Sequence, residues 1–359
     1  MFPLFFGIVP GWKKMQSDFP NYFVSACLVA ENQNTDSLYH KPWFQEQIYK
    51  HGMIETGKFS PFPPPTAFVL LPFTGFDSMT AKRIWLIFNV LLIIPIILLM
   101  KRISGLSVSG SAIIFLLTGI ALVNNLVLGQ LYLVILFLLF SGYFFLLKGY
   151  AGSTGIVLGT GIAAKYFPLV FIPTLVIEQR WKSLLSTGIV FLLINLLSVA
   201  VLGKQVYLDF FRSVLFQHLD GNLEGQSPWS ASFQSWNSLG HRLFLPDKFE
   251  NPNPVVESVA LFYVFKYGIL ICTITASAWL FYKYKHQPDF VEGSLSLISI
   301  TMLMLSPAGA TYHGLLLLFP VTMMITVLCI RQKLQYWLVQ LSIQSDILVL
   351  PSILHKTTH

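Results

Sequence analysis

The sequence predicts an all-α, polytopic membrane protein, and three observations point there. Apolar residues make up 54% of the 359-residue chain. Charged residues make up only 11%, where a soluble globular chain carries about 25%. The apolar residues also gather in runs of about 20, the length one helix needs to cross a bilayer. The formal charge of +7 does not call for a nucleic-acid partner, because Lys and Arg fall between the apolar runs as the positive-inside rule requires. The expected partner is the lipid bilayer, with no nucleic acid. Cys27, Cys272 and Cys329 form no metal or redox spacing and read as small hydrophobes.

Taken in order, residues 1–11 read as the outer end of a first helix with a clipped start, lacking the basic leader and cleavage site of a signal peptide. Trp12, Lys13 and Lys14 suit the interface. A long outer loop, 12–82, follows. Within it a helix is expected from Pro20 to Ala30, and a second, amphipathic one from Trp43 to His51, suited to lie on the membrane surface. The run Phe59-Ser60-Pro61-Phe62-Pro63-Pro64-Pro65 is expected to be non-helical, because proline removes donors and restricts the residue before it. Spans are expected at about 83–100, 107–127, 130–147, 183–203, 258–281, 293–306 and 313–330, each an apolar run bounded by charge or by turn residues. The second long outer loop is 204–257.

Residues 152–177 need a different solution. Lys148 and Arg180/Lys182 flank them and should share the cytoplasmic side, which a single span forbids. A broken hairpin satisfies both: a half-helix rises to Lys165, turns at Lys165-Tyr166-Phe167-Pro168 and returns. Non-helical backbone at that depth must be satisfied by protein or a water-filled cavity. Lys101, Arg102, Lys283, Lys285, Arg331 and Lys333 then also fall on the cytoplasmic side. Residues 1–333 thus form one integral membrane module of about 8–11 transmembrane or re-entrant helices. Residues 334–359 read as an interfacial or last short helix (334–352) and a tail.

In this topology several polar groups gather on the outer side. Asp18 stands in Ser17-Asp18-Phe19-Pro20-Asn21-Tyr22, either as an N-cap of the following helix or as a reactive carboxylate. Gly129-Gln130 follows Asn124-Asn125 at a turn, either closing a tight hairpin or lining a cavity mouth. Lys165 ends a half-helix that rises roughly 20 Å into a core about 30 Å thick. An amine there either snorkels or serves a function. Ser306-Pro307…His313 breaks a helix and presents an imidazole, either a cap or interface residue or a group that donates a hydrogen bond to a phosphate or orients an acceptor. Trp236-Asn237-Ser238-Leu239-Gly240-His241-Arg242 supplies donors for sugar hydroxyls or phosphate, or is polar loop surface. No GxxxxGK[ST], HExxH or paired CxxC stretch occurs, so ATP-driven transport and metal-dependent proteolysis lack their signatures.

These stretches, in this order, resemble glycosyltransferase family 87. They are Asp18-Phe19, Phe62-Pro63-Pro64, Gly129-Gln130, then Gly155…Ala163-Ala164-Lys165-Tyr166-Phe167-Pro168 with Arg180-Trp181, Asn237-Ser238-Leu239, and Ser306-Pro307…His313. Phe62 stands where the family often has Tyr, and Tyr39-His40 where Tyr-Asp is common. The resemblance implies a GT-C-type helix bundle of the bacterial inner membrane with its active site on the outer face. It implies a polyprenyl phosphate sugar donor, most often of mannose, with Asp18 at the catalytic acidic position and His313 near the donor phosphate.

The expected chemistry follows. Asp18 takes the proton of an acceptor hydroxyl as it attacks the anomeric carbon, with inversion. Lys165, His313 and Arg242 hold the donor phosphate, while Gln130, Tyr22, Asn237 and His241 line the substrate cavity. No metal or other cofactor is expected, since cationic side chains can stabilise the leaving phosphate. The acceptor is a glycolipid, a glycan or a protein. The alternative is a flippase or transporter of a lipid-linked phosphate with no transfer chemistry, which would use the same cations.

Overall fold

The computed structural model describes residues 2–221, 227–230, 233–329 and 332. Among them the chain is helical, with two isolated β-bridges and no strand. The helix and tail expected at 334–359 lie outside the described residues.

The first long loop folds into the bundle. After α1 (Phe2–Lys13) come α2 (Phe19–Ala30) and α3 (Lys41–Lys50). Ten of the twelve residues of α2 are buried, so this helix is core. Burying Phe19, Phe23 and Leu28 is worth about 1.5–3 kcal/mol each relative to exposure to water. The amphipathic α3 turns Phe44 and Ile48 inward, and the Phe44 and Phe59 rings meet at 6.1 Å. The proline run is non-helical as far as Pro63. Pro64 and Pro65 then open a 3₁₀ turn, Pro64–Phe68, where a missing N–H costs nothing.

The bundle begins with α4 (Ser78–Ser104), capped by Asp77, which accepts from the Met79 and Thr80 amides, and closed by left-handed Gly105. The single span expected over 107–127 is instead two helices, α5 (Val108–Leu116) and α6 (Ile120–Leu128), bent by 74°. The break falls at Thr118-Gly119. The Thr118 hydroxyl donates back to the Phe115 carbonyl, and Gly119 takes φ +49°, a region L side chains rarely adopt. Then come α7 (Tyr132–Leu147), α8 (Ala151–Ala164), α9 (Phe171–Ile177) and α10 (Trp181–Leu202).

The hairpin expected around Lys165 can be read from helix register. Gly155 faces Ser186, and Gly159 faces Thr187, Val190 and Phe191. The partner position climbs α10 as the glycine climbs α8, so the two helices run parallel and start at the same end. Residues 165–180 must therefore carry the chain back down. The glycines permit the close approach: a Cβ on Gly155 would sit 2.0 Å from Ser186 Oγ, and one on Gly159 2.8 Å from the Thr187 carbonyl. Small residues of this kind are how helices pack in lipid.

A helical arm follows: α11 (Lys204–Asp209), a π-wound stretch over Phe210–Leu215, and α12 (Phe216–Asp220). Beyond it lie α13 (Trp236–Phe244), α14 (Val259–Tyr284), α15 (Phe290–Leu305) and α16 (Thr311–Cys329). Residues Thr311–Leu317 of α16 are 3₁₀. Among the described residues, α4, α10, α14 and α16 are each long and apolar enough to cross a membrane, and the bent α5–α6 pair makes a fifth if counted as one span.

Candidate functional site

The end of the bundle where α1 finishes and α4 and α7 begin collects the polar side chains. Asp18 occupies the N-cap position of α2 yet makes no side-chain cap bond. Its Oδ2 instead accepts from Gln130 Nε2 at 2.7 Å, across 112 residues of chain. Gln130 Oε1 in turn accepts from the Tyr22 hydroxyl at 2.8 Å. This pairing fixes the amide orientation: Nε2 must face the carboxylate and Oε1 the phenol. Gln130 and Tyr22 are each only 1% exposed, whereas Asp18 keeps partial access to solvent.

The turn holding Gln130 is built by Gly129. It takes φ +71° as the left-handed cap of α6, and a Cβ there would press against Phe19 at 3.0 Å. The Gly129 carbonyl accepts from the Trp85 indole at 3.0 Å. Glycine is thus demanded twice, by the backbone and by the approach of α2.

A second network lies close by. Tyr132 OH and His313 Nε2 are 2.6 Å apart, and His313 Nδ1 lies 3.0 Å from the Ala310 carbonyl. A carbonyl only accepts, so Nδ1 carries a proton and Nε2 takes the phenol hydrogen when the ring is neutral. Above the same Tyr132 ring lies Lys165 Nζ, 4.0 Å from the centroid, with the Phe62 ring at 5.0 Å. Cations favour such faces. Lys165 is the residue that closes α8, and the level of its turn is set by Thr66, whose hydroxyl donates to the Ala164 carbonyl at 2.9 Å. Phe62 stacks on Tyr22 at 4.7 Å and so joins the two networks.

Asp18 and Lys165 lie within electrostatic reach of each other. The structure therefore brings together Asp18, Tyr22, Gln130, Lys165 and His313. The acid, the amine and the imidazole remain partly exposed, over a floor of Tyr22, Gln130 and Tyr132 that is buried. Burial raises the Asp18 pKa, opposed by the Gln130 hydrogen bond and the Lys165 charge. A carboxylate held this way gains basicity, which suits it to take a proton.

Sequence reasoning missed four members of the cluster. Tyr132, two residues after Gln130, links Lys165 to His313. Tyr312 meets Tyr132 with ring centroids 5.3 Å apart. His218, on the helical arm, is within electrostatic reach of Lys58, Lys165 and His313. Its pKa falls to about 4, chiefly through burial and then through the Lys58 and Lys165 charges. Lys58 itself is 8% exposed. The arm is seated by Phe210, whose ring contacts Tyr39 at 5.8 Å and Tyr166 at 6.4 Å. The adjacency of Tyr132 and Tyr312 to Gln130 and His313 was the one available signal; nothing in the sequence ties His218 or Lys58 to Lys165.

Asn237, His241 and Arg242 lie on α13, apart from these contacts. Arg242 donates through Nε to the Trp229 carbonyl at 3.0 Å and through Nη2 to the Ser230 carbonyl at 2.6 Å, holding that loop. The His241 ring packs edge-on against Trp229 and Phe262, and its Nδ1 meets the Asn237 carbonyl at 2.8 Å. The Asn237 amide is buried against Gly221. The two residues before α13 tie it to the loop before α16: Gln234 N donates to the Gly309 carbonyl at 2.7 Å and Ser235 Oγ to the Pro307 carbonyl at 2.8 Å. Those bonds fix the loop that leads into His313. Among the described residues no group of three His, Cys, Asp or Glu side chains stands close enough to hold a metal ion.

Comparison with curated proteins and with solved structures gives no match. The model of glycosyltransferase family 87 matches residues 61–307, a stretch that includes Gln130 and Lys165 and leaves Asp18 and His313 outside it. With more than half its length matched, and with a bundle of apolar helices around the polar cluster, the chain belongs to glycosyltransferase family 87 and is a membrane glycosyltransferase.

Proposed function

We propose that this enzyme transfers a hexose, mannose first among candidates, from a polyprenyl phosphate sugar to an acceptor hydroxyl on the extracytoplasmic face of the bacterial inner membrane. A lipid-linked donor keeps its tail in the bilayer, so its sugar must react at the membrane–water boundary, and partly exposed side chains above a buried helical floor suit such a boundary. Asp18 takes the acceptor proton while the oxygen attacks the anomeric carbon from the face opposite the phosphate, and the configuration inverts. The electron pair of the breaking C1–O bond passes to the phosphate oxygen. Lys165, seated over the Tyr132 ring that His313 orients, stabilises that developing charge together with His218 and Lys58, the electrostatic contribution that is usually the largest in such reactions. No metal is required by this scheme.

The observation that carries the reading is the meeting of a carboxylate held by Gln130 with an amine and an imidazole held by one tyrosine, all at one end of the bundle. Reconstitution with sugar-labelled polyprenyl phosphate mannose tests it. Label moving onto an acceptor is the expected result. Label that crosses the bilayer still attached to its lipid would instead favour a flippase, which needs the cations but not Asp18.

A further inference from the structure

At the start of α4 a lysine is buried in the core. Lys82 is 1% exposed, and its ammonium donates to two backbone carbonyls, Lys14 O and Val127 O. The first lies at the C-terminal end of α1 and the second in the last turn of α6. Both are the negative ends of helix dipoles, the place where a buried cation is best stabilised. Glu55 is within electrostatic reach and adds to that field. One turn further along α4, on the same face, the Trp85 indole donates to the Gly129 carbonyl.

The two gripped strands lead directly into the reacting carboxylate and its partner. Four residues past Lys14 is Asp18, and one past Gly129 is Gln130. We propose that Lys82, seconded by Trp85, is a positioning residue that locks the ends of α1 and α6 together and thereby sets the Asp18–Gln130 hydrogen bond. The proposal rests on the reading of Asp18 as the base. It explains why an ammonium is buried where an apolar side chain would fill the space at less cost in desolvation: only a side chain with several donors can tie two helix ends at one point.

Because the Gln130 bond opposes the rise in the Asp18 pKa, a loosened clamp has a signature that lost packing alone does not. The other groups facing Asp18 are Lys165 beyond α8, Tyr22 on α2, Tyr132 on α7 and Tyr312 on α16, and none is touched by changing Lys82. The test is the pH profile of transfer by full-length Lys82→Met and Lys82→Arg in proteoliposomes, with polyprenyl phosphate mannose as donor. For Lys82→Met the expected result is a kcat about 10- to 100-fold lower, as for a misplacement of roughly 1 Å. The donor KM should hardly change, and the acid limb should move to higher pH. Lys82→Arg should restore part of the rate and return the limb. An unmoved acid limb, with or without a loss of rate, overturns the proposal. If Lys82→Met does not fold, Trp85→Phe removes one bond of the clamp and must displace the limb in the same direction; an unmoved limb there overturns it equally. Failure of the underlying reading shows separately, as turnover by Asp18→Asn.

Discussion

Replacing Asp18 by Asn is the most incisive perturbation the geometry offers. The amide is nearly isosteric, and its oxygen can still accept from Gln130 Nε2, the bond that Asp18 makes at 2.7 Å. The floor of Gln130 and Tyr22 should therefore stay in place. What is lost is the ability to take a proton. General-base catalysis contributes about 10²- to 10⁴-fold, equivalent to roughly 3–5 kcal/mol of barrier at 1.36 kcal/mol per decade. The assay is transfer from labelled polyprenyl phosphate mannose in proteoliposomes, with donor binding measured on the same preparation. The expected result is a kcat lower by about 10²- to 10⁴-fold with donor affinity retained. Turnover close to wild type would refute Asp18 as the base.

Four further outcomes follow from the same contacts. The Asp18 pKa is raised by burial, so in the protein its neutral form is favoured, and the stability it contributes is present at low pH and lost as pH rises through the raised value. Asp18→Asn should therefore melt at higher temperature than wild type near neutral pH, and the two should converge in acid; a lower melting temperature at neutral pH would contradict the buried-carboxylate reading. Gln130→Leu removes the hydrogen bond that opposes this shift, so the acid limb of the rate profile should move to higher pH, as a titration of transfer rate will show. Lys165→Met takes away the amine above Tyr132 and should weaken donor binding while acceptor KM is kept; unchanged donor affinity, measured with labelled donor, would remove Lys165 from the phosphate. Gly155→Ala places a Cβ within 2.0 Å of Ser186 Oγ and 2.6 Å of its backbone carbon, and the overpacking should cost about 1–3 kcal/mol, read as a lowered melting temperature.

Much of the fold was legible because apolar runs and the charges between them are local properties. The hairpin at Lys165 followed from Lys148 and Arg180/Lys182 under the positive-inside rule, and the parallel register of α8 and α10 agrees with a chain that turns back between them. The bend at Thr118-Gly119 did not, since one glycine in an apolar run reads equally as tight packing or as a break. For Asp18, the choice between cap and carboxylate turns on a glutamine 112 residues away, which no local pattern can reveal. Lys82 was illegible for a similar reason: a lysine at the start of a span looks like an interfacial charge until its acceptors, on two other helices, are in view. Arg242 looked free to meet a phosphate, but the carbonyls of Trp229 and Ser230 already take two of its donors. The resemblance carried in short motifs identified the family, while the meeting of those motifs in space required the fold.

The most direct measurement of the convergence proposed for the donor is an experimental structure with polyprenyl phosphate bound. The phosphate is expected within about 4 Å of Lys165 Nζ, the reach of an ion pair, on the side of Tyr132 that carries His313, with the sugar between it and Asp18. A phosphate lodged instead beside Arg242 on α13, or at the opposite end of the bundle, would contradict it.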